Sequence, residues 1–387
     1  MDLFDVYPVY HVTPVSAKGC YVYDEKGIKY LDLYGGHGVI SIGHTQEDYV
    51  SAITEQLNRI GFYSNSIINP IQTALAKKLG KLSGLDNYSL FLSNSGAESN
   101  ENALKLASFH TSKKRVIAFE NAFHGRTSAA VAVTDNKKIN APINLQQVCT
   151  FLPLNEIDLV EKELSKNDVC AIIIEGIQGV GGLDEGTSSF FKDLERLCKK
   201  HEVILIADEI QSGYGRSGKF FAFQYHGILP DLITTAKGMG NGFPIGGVLI
   251  SPKFKASHGL LGTTFGGNHL ACSAALAVLD VIQRDDLISH VNEVSADFVE
   301  KVKEENGIEA DPDSDVYVAV GAMQVIFNTC LHLLNTGDEV IVMDPGYDYY
   351  SQIRLFGGVP VPVATHESNR FKVDPADIRA AITDKTK

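Results

Sequence analysis

The middle of the chain alternates short apolar runs with amphipathic stretches, which limits its possible folds more than any other feature. The runs are RVIAF (115–119), CAIIIE (170–175), VILIADE (203–209), LITTAK (232–237) and GGVLIS (246–251). Continuous apolar runs of this length predict strands buried on both faces, as in a parallel sheet covered by helices. Between them, FFKDLERLCKKH (190–201) places Phe191, Leu194 and Leu197 on one helix face. The predicted fold class is α/β, with a mostly parallel, doubly wound sheet in a large domain.

Composition and charge exclude several classes of protein. The chain has 387 residues, of which 44% are hydrophobic and 21% are charged. The length suggests two or three domains. The proportions are typical of a globular protein, and they exclude disordered, collagen-like and disulfide-scaffold chains. The net charge is −13, and an acidic surface repels phosphate backbones and anionic lipids. Because no run of Lys and Arg forms a basic patch, neither nucleic acid nor a membrane is an expected partner.

The cysteines and the N-terminus give no sign of a metal site or of export. The six cysteines are scattered, without a CxxC pair or zinc-like spacing. The N-terminus carries Asp2 and Asp5 and lacks the apolar stretch of a signal peptide. No segment reaches the ~20 apolar residues of a membrane span. We therefore expect no bound metal and a cytoplasmic location.

A phosphate-binding helix start is one interpretation of SNSGAESNENALKLA (93–107). Gly96 and Ala97 precede a helix whose apolar side carries Ala103, Leu104 and Ala107. Small residues at a helix start let a phosphate reach free backbone N–H groups, and the helix dipole favours its charge. Ordinary capping explains the same pattern, so this motif alone leaves both interpretations open.

Two strand ends carry a carboxylate and an amine. VILIADEIQSG ends a buried run with Asp208 and Glu209, and DLITTAKGMGNGFPIGG ends another with Lys237. A carboxylate there needs a partner, which could be a metal, an internal Arg or a cationic ring nitrogen. A Lys among flexible glycines suits a Schiff-base amine, although a solvated Lys is the ordinary alternative. Together they are the two groups that pyridoxal-phosphate chemistry needs.

With AFHGRT (122–127) and GTTFGGNHLACSAALAVLDVI (262–282), these segments resemble the class III, fold-type I pyridoxal-phosphate aminotransferases. The resemblance is strongest to the acetylornithine and succinylornithine branch, and it covers about residues 1–300. It implies a large cofactor-binding domain at 61–300, preceded by a smaller N-terminal lobe at 1–60. The combined motifs in this order are highly specific, whereas each motif alone is not.

The resemblance implies a role for each cofactor-binding residue. Lys237 would be the Schiff-base Lys and the proton shuttle, and Asp208 would pair with the ring nitrogen. Gly96 and Ala97 would hold the phosphate. Phe123 would stack on the ring and Gln211 would hydrogen-bond its phenolic oxygen. Thr264, in GTTFGG, would reach the phosphate of the neighbouring subunit, so the resemblance implies a homodimer with a shared active site.

The resemblance is less definite about the substrate. Arg126 would bind a substrate carboxylate through a bidentate fork, and Thr263, Glu175 and Gln178 would lie at or near the same pocket. Core packing for Phe123 and a structural salt bridge for Arg126 remain alternatives. Val180 stands where this branch commonly has an acidic residue, which leaves the pocket's usual ion pairing open.

Two other motifs have competing interpretations. His37, in LYGGHG, would either help select the substrate or simply form a turn. GYGRSG (213–218) formally matches a dinucleotide-binding fingerprint. The bulky KFFAFQYHG that follows, without a clear ribose-binding acid, argues against nucleotide binding.

The resemblance changes beyond about residue 300. Residues 301–387 resemble the start of the large domain of the class I, aspartate-aminotransferase-like branch. Gly321 and Ala322 would be counterparts of Gly96 and Ala97, and Tyr347 a counterpart of Phe123. This segment ends before the later motifs of that branch, and none of its arginines matches the carboxylate-binding Arg of class III. We expect a chimeric or foreign segment that does not build the small C-terminal domain of class III.

The predicted function is transfer of an amino group from N-acetylornithine, or a related acyl-ornithine or ω-amine, to 2-oxoglutarate in arginine biosynthesis. Two alternatives stay open at this point. One is another pyridoxal-phosphate reaction on the same scaffold, such as an aminomutase. The other is a catalytically impaired cofactor-binding or assembly protein, because the C-terminal Arg is missing.

Overall fold

The structure is a computed structural model that describes residues 1, 3–7, 9–146, 148–306, 322–345 and 349–387. Contacts divide the chain into two compact units, Met1–Glu300 and Lys301–Lys387. The finer division of the first unit at about residue 60 stays a prediction. Gly321 and Tyr347 lie outside the described residues.

The first unit begins with a small antiparallel sheet in the order β1-β2-β3. Its strands are β1 (Pro14–Lys18), β2 (Tyr21–Asp24) and β3 (Lys29–Leu31). The buried carboxylate of Asp24 closes the β2–β3 turn, since it accepts the backbone N–H groups of Lys26 and Ile28 and the hydroxyl of Tyr30. The next segment, α1 (Gly35–Gly38), is a single distorted turn that is left-handed at Gly36 and His37.

The central sheet of the first unit has seven strands. In sheet order they are β4 (Ser89–Ser93), β10 (Gly246–Ile250), β9 (Leu232–Thr235), β8 (Ile204–Asp208), β7 (Val169–Glu175), β5 (Arg115–Phe119) and β6 (Cys149–Leu152). Strands β5 to β9 pair in parallel, whereas β10 is antiparallel to both its neighbours. All five apolar runs form strands, which confirms the predicted α/β, mostly parallel sheet.

Helices cover this sheet on both faces. The helices of this part of the chain are α2 (Glu47–Arg59), α3 (Pro70–Ser83), α4 (Gly96–Thr111), α5 (Ser128–Ala132), α6 (Ile157–Leu164), α7 (Ser188–His201), α8 (His269–Arg284) and α9 (Leu287–Asn306). Three-ten turns cover Pro142–Gln146, Ala222–Tyr225 and Lys237–Met239. Alternate residues of β7 show the two faces: Ile172 packs in one core with Leu194 of α7, and Ile173 packs in another with Leu104 of α4. The amphipathic pattern of α7 therefore covers one side of the sheet.

The second unit is a small βαβ arrangement. Its elements are α10 (Ala322–Leu333), β11 (Glu339–Asp344), α11 (Tyr350–Leu355), β12 (Val359–Ala364), a three-ten turn (Glu367–Asn369) and α12 (Pro375–Ala381). Strands β11 and β12 pair in parallel, as their connection through α11 allows. Cys330, Val342 and Ile353 form its buried core.

Candidate active site

The candidate site lies at the carboxyl ends of the parallel strands. Glu175 is the last residue of β7 and Asp208 the last of β8, and the two are register partners. Lys237 follows β9 after one intervening residue. Ligands of doubly wound sheets bind at this edge, and the strand order therefore brings two carboxylates and an amine to one place.

These residues line a cavity of about 450 Å³. Eight of the ten predicted site residues contribute to it: Gly96, Ala97, Phe123, Arg126, Glu175, Asp208, Gln211 and Lys237. The rest of its wall includes apolar side chains that the sequence did not single out, among them Val39, Ile210 and Phe243. Val180 also lines it. The cavity thus combines a few charged groups with a mainly apolar wall, as small-molecule sites usually do.

Asp208 is buried but well supplied with hydrogen bonds. Its Oδ2 accepts from Asn100 Nδ2 at 2.8 Å and from His124 Nδ1 at 2.7 Å, and its Oδ1 accepts the N–H of Ile210 at 3.1 Å. A buried carboxylate without such partners would be costly. The sequence missed both side-chain partners, although Asn100 lies one helical turn after Gly96 and His124 directly follows Phe123.

His124 is the second titratable group in this part of the site. Its side chain is buried, and burial lowers the pKa of the imidazole. The hydrogen bond that His124 donates to Asp208 and the negative charges of Asp208 and Glu175 outweigh burial, so the pKa of His124 is raised. Its Nε2 is buried without a hydrogen-bond partner among the described residues.

Glu175 is a buried carboxyl that accepts a hydrogen bond from the neighbouring loop. Its Oε2 accepts the N–H of Phe123 at 3.1 Å. The pKa of Glu175 is raised to about 7, mainly by burial; the charge of His124 lowers it and the charge of Asp208 raises it. Glu175 therefore holds the backbone beside Phe123 in place, whichever protonation state it adopts. Gln178 does not line the cavity, and its Nε2 donates to the carbonyl of Glu120 at 2.9 Å.

The amine of Lys237 is half-buried at the cavity wall. Burial lowers the pKa of Lys237, the charges of Asp208 and Glu175 raise it, and the charge of Arg216 lowers it. The net shift is downward, which increases the neutral fraction of the amine near neutral pH. Its backbone φ is 24°, in the left-handed region that only a well-packed surrounding maintains.

The start of α4 forms a cradle in which only small residues fit. Ser95 caps the helix by accepting the N–H of Glu98 at 3.2 Å. A Cβ at Gly96 would lie 2.8 Å from Cδ1 of Ile210, and one at Gly125 would lie 2.8 Å from Cβ of Ala97. Backbone N–H groups of a first helical turn have no acceptor within the helix, so this cradle suits a phosphate.

Gln211 and Arg216 attach the distorted turn α1 to the segment after β8. Gln211 Nε2 donates to the carbonyl of His37 at 3.1 Å, and Arg216 Nη2 donates to the carbonyl of Gly38 at 2.8 Å. The His37 ring hydrogen-bonds the Tyr34 hydroxyl at 2.6 Å and does not line the cavity. Arg216 belongs to GYGRSG, so this segment hydrogen-bonds a neighbouring loop. A three-ten turn follows it, in place of the helix that a dinucleotide-binding fingerprint requires.

Arg126 lines the cavity as an exposed guanidinium. Within the part of the chain that the structure describes, no hydrogen bond or ion pair involves its side chain. That observation argues against the structural salt bridge considered from the sequence, and it leaves a planar donor group facing the cavity. A guanidinium of this kind suits a carboxylate ligand.

Two predicted residues and Glu209 lie elsewhere. Thr263 Oγ1 accepts from Nδ2 of Asn94 at 3.1 Å, and Asn94 itself lines the cavity. Thr264 is exposed and does not contribute to the cavity of its own chain, so its role toward a neighbouring subunit stays a prediction. Glu209 faces away, where Ser212 Oγ and the N–H groups of Ala222 and Phe223 bind it.

The residues present fit pyridoxal phosphate. A small-residue helix start, an aromatic side chain, a buried carboxylate and an amine of lowered pKa surround one cavity of suitable size. These groups match its phosphate, its ring face, its ring nitrogen and its aldehyde, in that order. Among the described residues no group of three or more His, Cys, Asp or Glu side chains could hold a metal ion. No described helix has the length and apolar character needed to cross a membrane.

Fold and site together define a fold-type I enzyme that depends on pyridoxal phosphate. The chain belongs to the class III aminotransferases, whose family model matches residues 6–328. The model of the class I and II aminotransferases matches residues 278–387. Both parts of the predicted resemblance are thereby confirmed, including the change of branch in the tail.

Individual relatives support the same family. The acetylornithine aminotransferase of Archaeoglobus fulgidus is 40% identical over 290 residues, 74% of this chain and 76% of that protein. The acetylornithine aminotransferase of Aquifex aeolicus is 42% identical over 298 residues, 75% of this chain and 78% of that protein.

Solved structures agree in fold. The ornithine aminotransferase of Toxoplasma gondii has a TM-score of 0.73 and 27% identity, covering 77% of this chain and 73% of that one. Taurine:2-oxoglutarate aminotransferase of Bifidobacterium kashiwanohense, solved with PLP and glutamate, has a TM-score of 0.71 and 27% identity. It covers 79% of this chain and 76% of that one. The chain is thus a pyridoxal-phosphate-dependent aminotransferase.

Proposed function

We propose that this aminotransferase moves the terminal amino group of N-acetylornithine, or of a related acyl-ornithine, to 2-oxoglutarate in arginine biosynthesis. The unpaired guanidinium of Arg126 at the cavity is the observation that carries the proposal, because both substrates bring a carboxylate. The names of the relatives at 40% and 42% identity support the choice of donor.

The geometry of the cavity supports a role for each predicted cofactor-binding residue. Gly96 and Ala97 would hold the phosphate, and Phe123 would pack on the ring. Asp208 would pair with the ring nitrogen, and Gln211 would donate to the phenolic oxygen. When bound, pyridoxal phosphate supplies an aldehyde that captures amines and a ring that stabilises negative charge at the substrate carbon.

The chain's own residues supply the proton transfers and the orientation. Lys237 would carry the cofactor and then act as the general base, since its lowered pKa favours the neutral amine. Asp208 would hold the cofactor from the cavity wall, where Asn100 and His124 fix its carboxylate. The apolar wall, including Val39 and Phe243, limits access of water to the reacting carbon.

Arg126 would bind substrate carboxylates in both halves of the reaction. Val180 occupies the position where an acidic residue is common in this branch, and it lines the same cavity. No described carboxylate pairs with Arg126, so the guanidinium needs no competing ion pair to break before it binds a substrate. An apolar Val180 also suits the methylene chain of an ornithine derivative.

The donor series provides the test. Purified protein with pyridoxal phosphate and 2-oxoglutarate is given N-acetylornithine, and glutamate formation is measured; putrescine, which lacks the carboxylate, is the matched control donor. We expect N-acetylornithine to exceed putrescine by at least about 10-fold in kcat/KM, as the loss of a charged hydrogen-bonded pair implies. A yellow protein whose colour glutamate does not bleach would overturn the proposal in favour of cofactor binding without turnover.

We also propose that the enzyme works as a homodimer in the cytoplasm. Thr264 is exposed and outside the cavity of its own chain, as a residue that serves the neighbouring subunit would be. Light scattering of the purified protein tests the assembly. A Thr264→Ala variant that binds pyridoxal phosphate as tightly as the unchanged chain would contradict the assignment of Thr264.

A further inference from the structure

Two buried side chains from distant parts of the chain converge on one oxygen of Asp208. Asn100 of α4 is fully buried and His124 is 2% exposed. Both donate to Oδ2, at 2.8 Å and 2.7 Å. Side chains so far apart in sequence meet there only because the sheet brings them together, so the contact is specific to the folded site.

Asn100 uses its amide nitrogen twice. In addition to Asp208 Oδ2, Nδ2 donates to the backbone carbonyl of His124 at 2.7 Å. One buried amide therefore connects three pieces of the site: helix α4, the end of β8 and the loop that carries Phe123 and Arg126. An amide nitrogen has two N–H donors, and both are used here.

The substitutes for Asn100 show what the amide contributes. A leucine would leave Asp208 Oδ2 and the His124 carbonyl each short of one donor at a buried position. Loss of a hydrogen-bond partner is costly for a buried polar group. An aspartate would place a second acceptor beside the Asp208 carboxylate, and like charges repel at that distance. Only a side chain with two N–H donors serves both acceptors.

We infer that Asn100 is a positioning residue that fixes Asp208 and the backbone next to Phe123 for the cofactor. Asn100 does not line the cavity, so it acts through Asp208 and His124. The ring of His124 completes the arrangement, because its Nδ1 proton is held on Asp208 while the Asn100 amide holds its backbone. The test by kcat and KM rests on the proposed function, whereas the test by cofactor affinity does not.

The helix offers a matched control. Asn102 lies two residues further along α4 and donates only to the carbonyl of Glu98, at 2.8 Å, within the helix. An Asn102→Leu variant therefore makes the same chemical change on the same helix without touching Asp208 or His124. Asn100→Leu and Asn100→Asp are compared with it, and Asn100→Ser retains one donor in a smaller side chain.

Three quantities are measured for each variant: the Kd for pyridoxal phosphate by fluorescence titration of the cofactor-free protein, kcat with KM for the amino donor, and the Tm of the cofactor-free protein. For Asn100→Leu and Asn100→Asp we expect a Kd raised about 10- to 100-fold and a similar fall in kcat, with KM changed less than about 3-fold. Asn102→Leu should resemble the unchanged chain, and Asn100→Ser should fall between. If Asn100→Leu fails to fold, the comparison of Asn100→Ser with Asn102→Leu decides.

The outcomes separate this inference from the proposed function. Unchanged Kd and kcat in Asn100→Leu or Asn100→Ser would overturn the positioning role, as would a loss of Tm alone. If the unchanged chain transaminates no donor but loses cofactor affinity on substitution of Asn100, the proposed function fails and the positioning role stands. If the unchanged chain transaminates normally and the Asn100→Leu variant retains its Kd and kcat, the positioning role fails and the proposed function stands.

Discussion

The cradle at the start of α4 makes a quantitative prediction about Gly96. A Cβ there would lie 2.8 Å from Cδ1, 2.9 Å from Cγ2 and 3.2 Å from Cγ1 of Ile210. These separations are shorter than an ordinary carbon–carbon contact by about 0.3–1.2 Å. The backbone at Gly96 is not left-handed, and the three atoms nearest to such a Cβ all belong to Ile210, so the expected cost comes from crowding against that side chain. Overpacking of this kind costs about 1–3 kcal/mol.

The Gly96→Ala substitution should therefore lower the free energy of unfolding of the cofactor-free protein by about 1–3 kcal/mol. Because the helix start must move to relieve the crowding, it should also weaken binding of pyridoxal phosphate. Urea denaturation followed by circular dichroism measures the first effect, and fluorescence titration of the cofactor measures the second.

A double-mutant cycle tests the cause. Ile210→Ala removes all three crowding atoms, and since Ile210 is only partly buried we expect it to cost about 1–2 kcal/mol. Adding Gly96→Ala to Ile210→Ala should then cost almost nothing, giving a coupling of about 1–3 kcal/mol between the two sites. Additive losses in the double variant would refute the argument from crowding, as would a Gly96→Ala protein as stable as the unchanged chain.

Three further outcomes are expected. Lys237→Ala should abolish transamination, while Lys219→Ala, outside the cavity, should not. Product analysis by mass spectrometry checks both variants. Normal turnover by Lys237→Ala would contradict the assignment of Lys237 as the Schiff-base Lys. Arg126→Gln should raise KM for 2-oxoglutarate at least about 10-fold by removing a charge-assisted fork, and Arg126→Lys should restore only part of it in steady-state assays. Glu175→Gln should flatten the pH dependence of stability. Burial raises the pKa of Glu175 to about 7, so the folded chain holds a proton that the unfolded chain releases. The unchanged protein therefore loses stability as pH rises from 4.5 to about 7. Equal slopes of unfolding free energy against pH in both proteins would contradict this.

The apolar runs made much of the fold predictable from sequence. Strands β5, β7, β8 and β9 are buried on both faces, and their residues are accordingly almost all apolar. Strands β4 and β6 escaped prediction because they lie at the two edges of the sheet, where SLFLS and CTFL are only partly buried. The reversed direction of β10 was equally hidden, since an apolar run does not encode the direction of its strand.

The site was predictable wherever chemistry follows a strand end. Asp208 and Lys237 could be found because polar residues directly follow buried runs, and Arg126 through its motif. Asn100 was not found, because an Asn in an amphipathic helix resembles a solvated one until the sheet places it against a carboxylate far along the chain. Strand-end position alone does not distinguish the consecutive carboxylates at 208 and 209; the motif pointed to Asp208, and the structure places Asp208 at the cavity and Glu209 away from it.

The reversed strand β10 also sets a distance. It lies between β4 and β9, and because it is antiparallel to both, those two strands run in the same direction and end at the same edge. The helix start that follows β4 and the amine that follows β9 are therefore held two strand spacings apart, about 10 Å. Hydrogen bonds of the main chain maintain that separation. Side-chain substitutions can change the affinity of the cavity for its ligand. The length of ligand that fits between the helix start and the amine is instead fixed by the backbone.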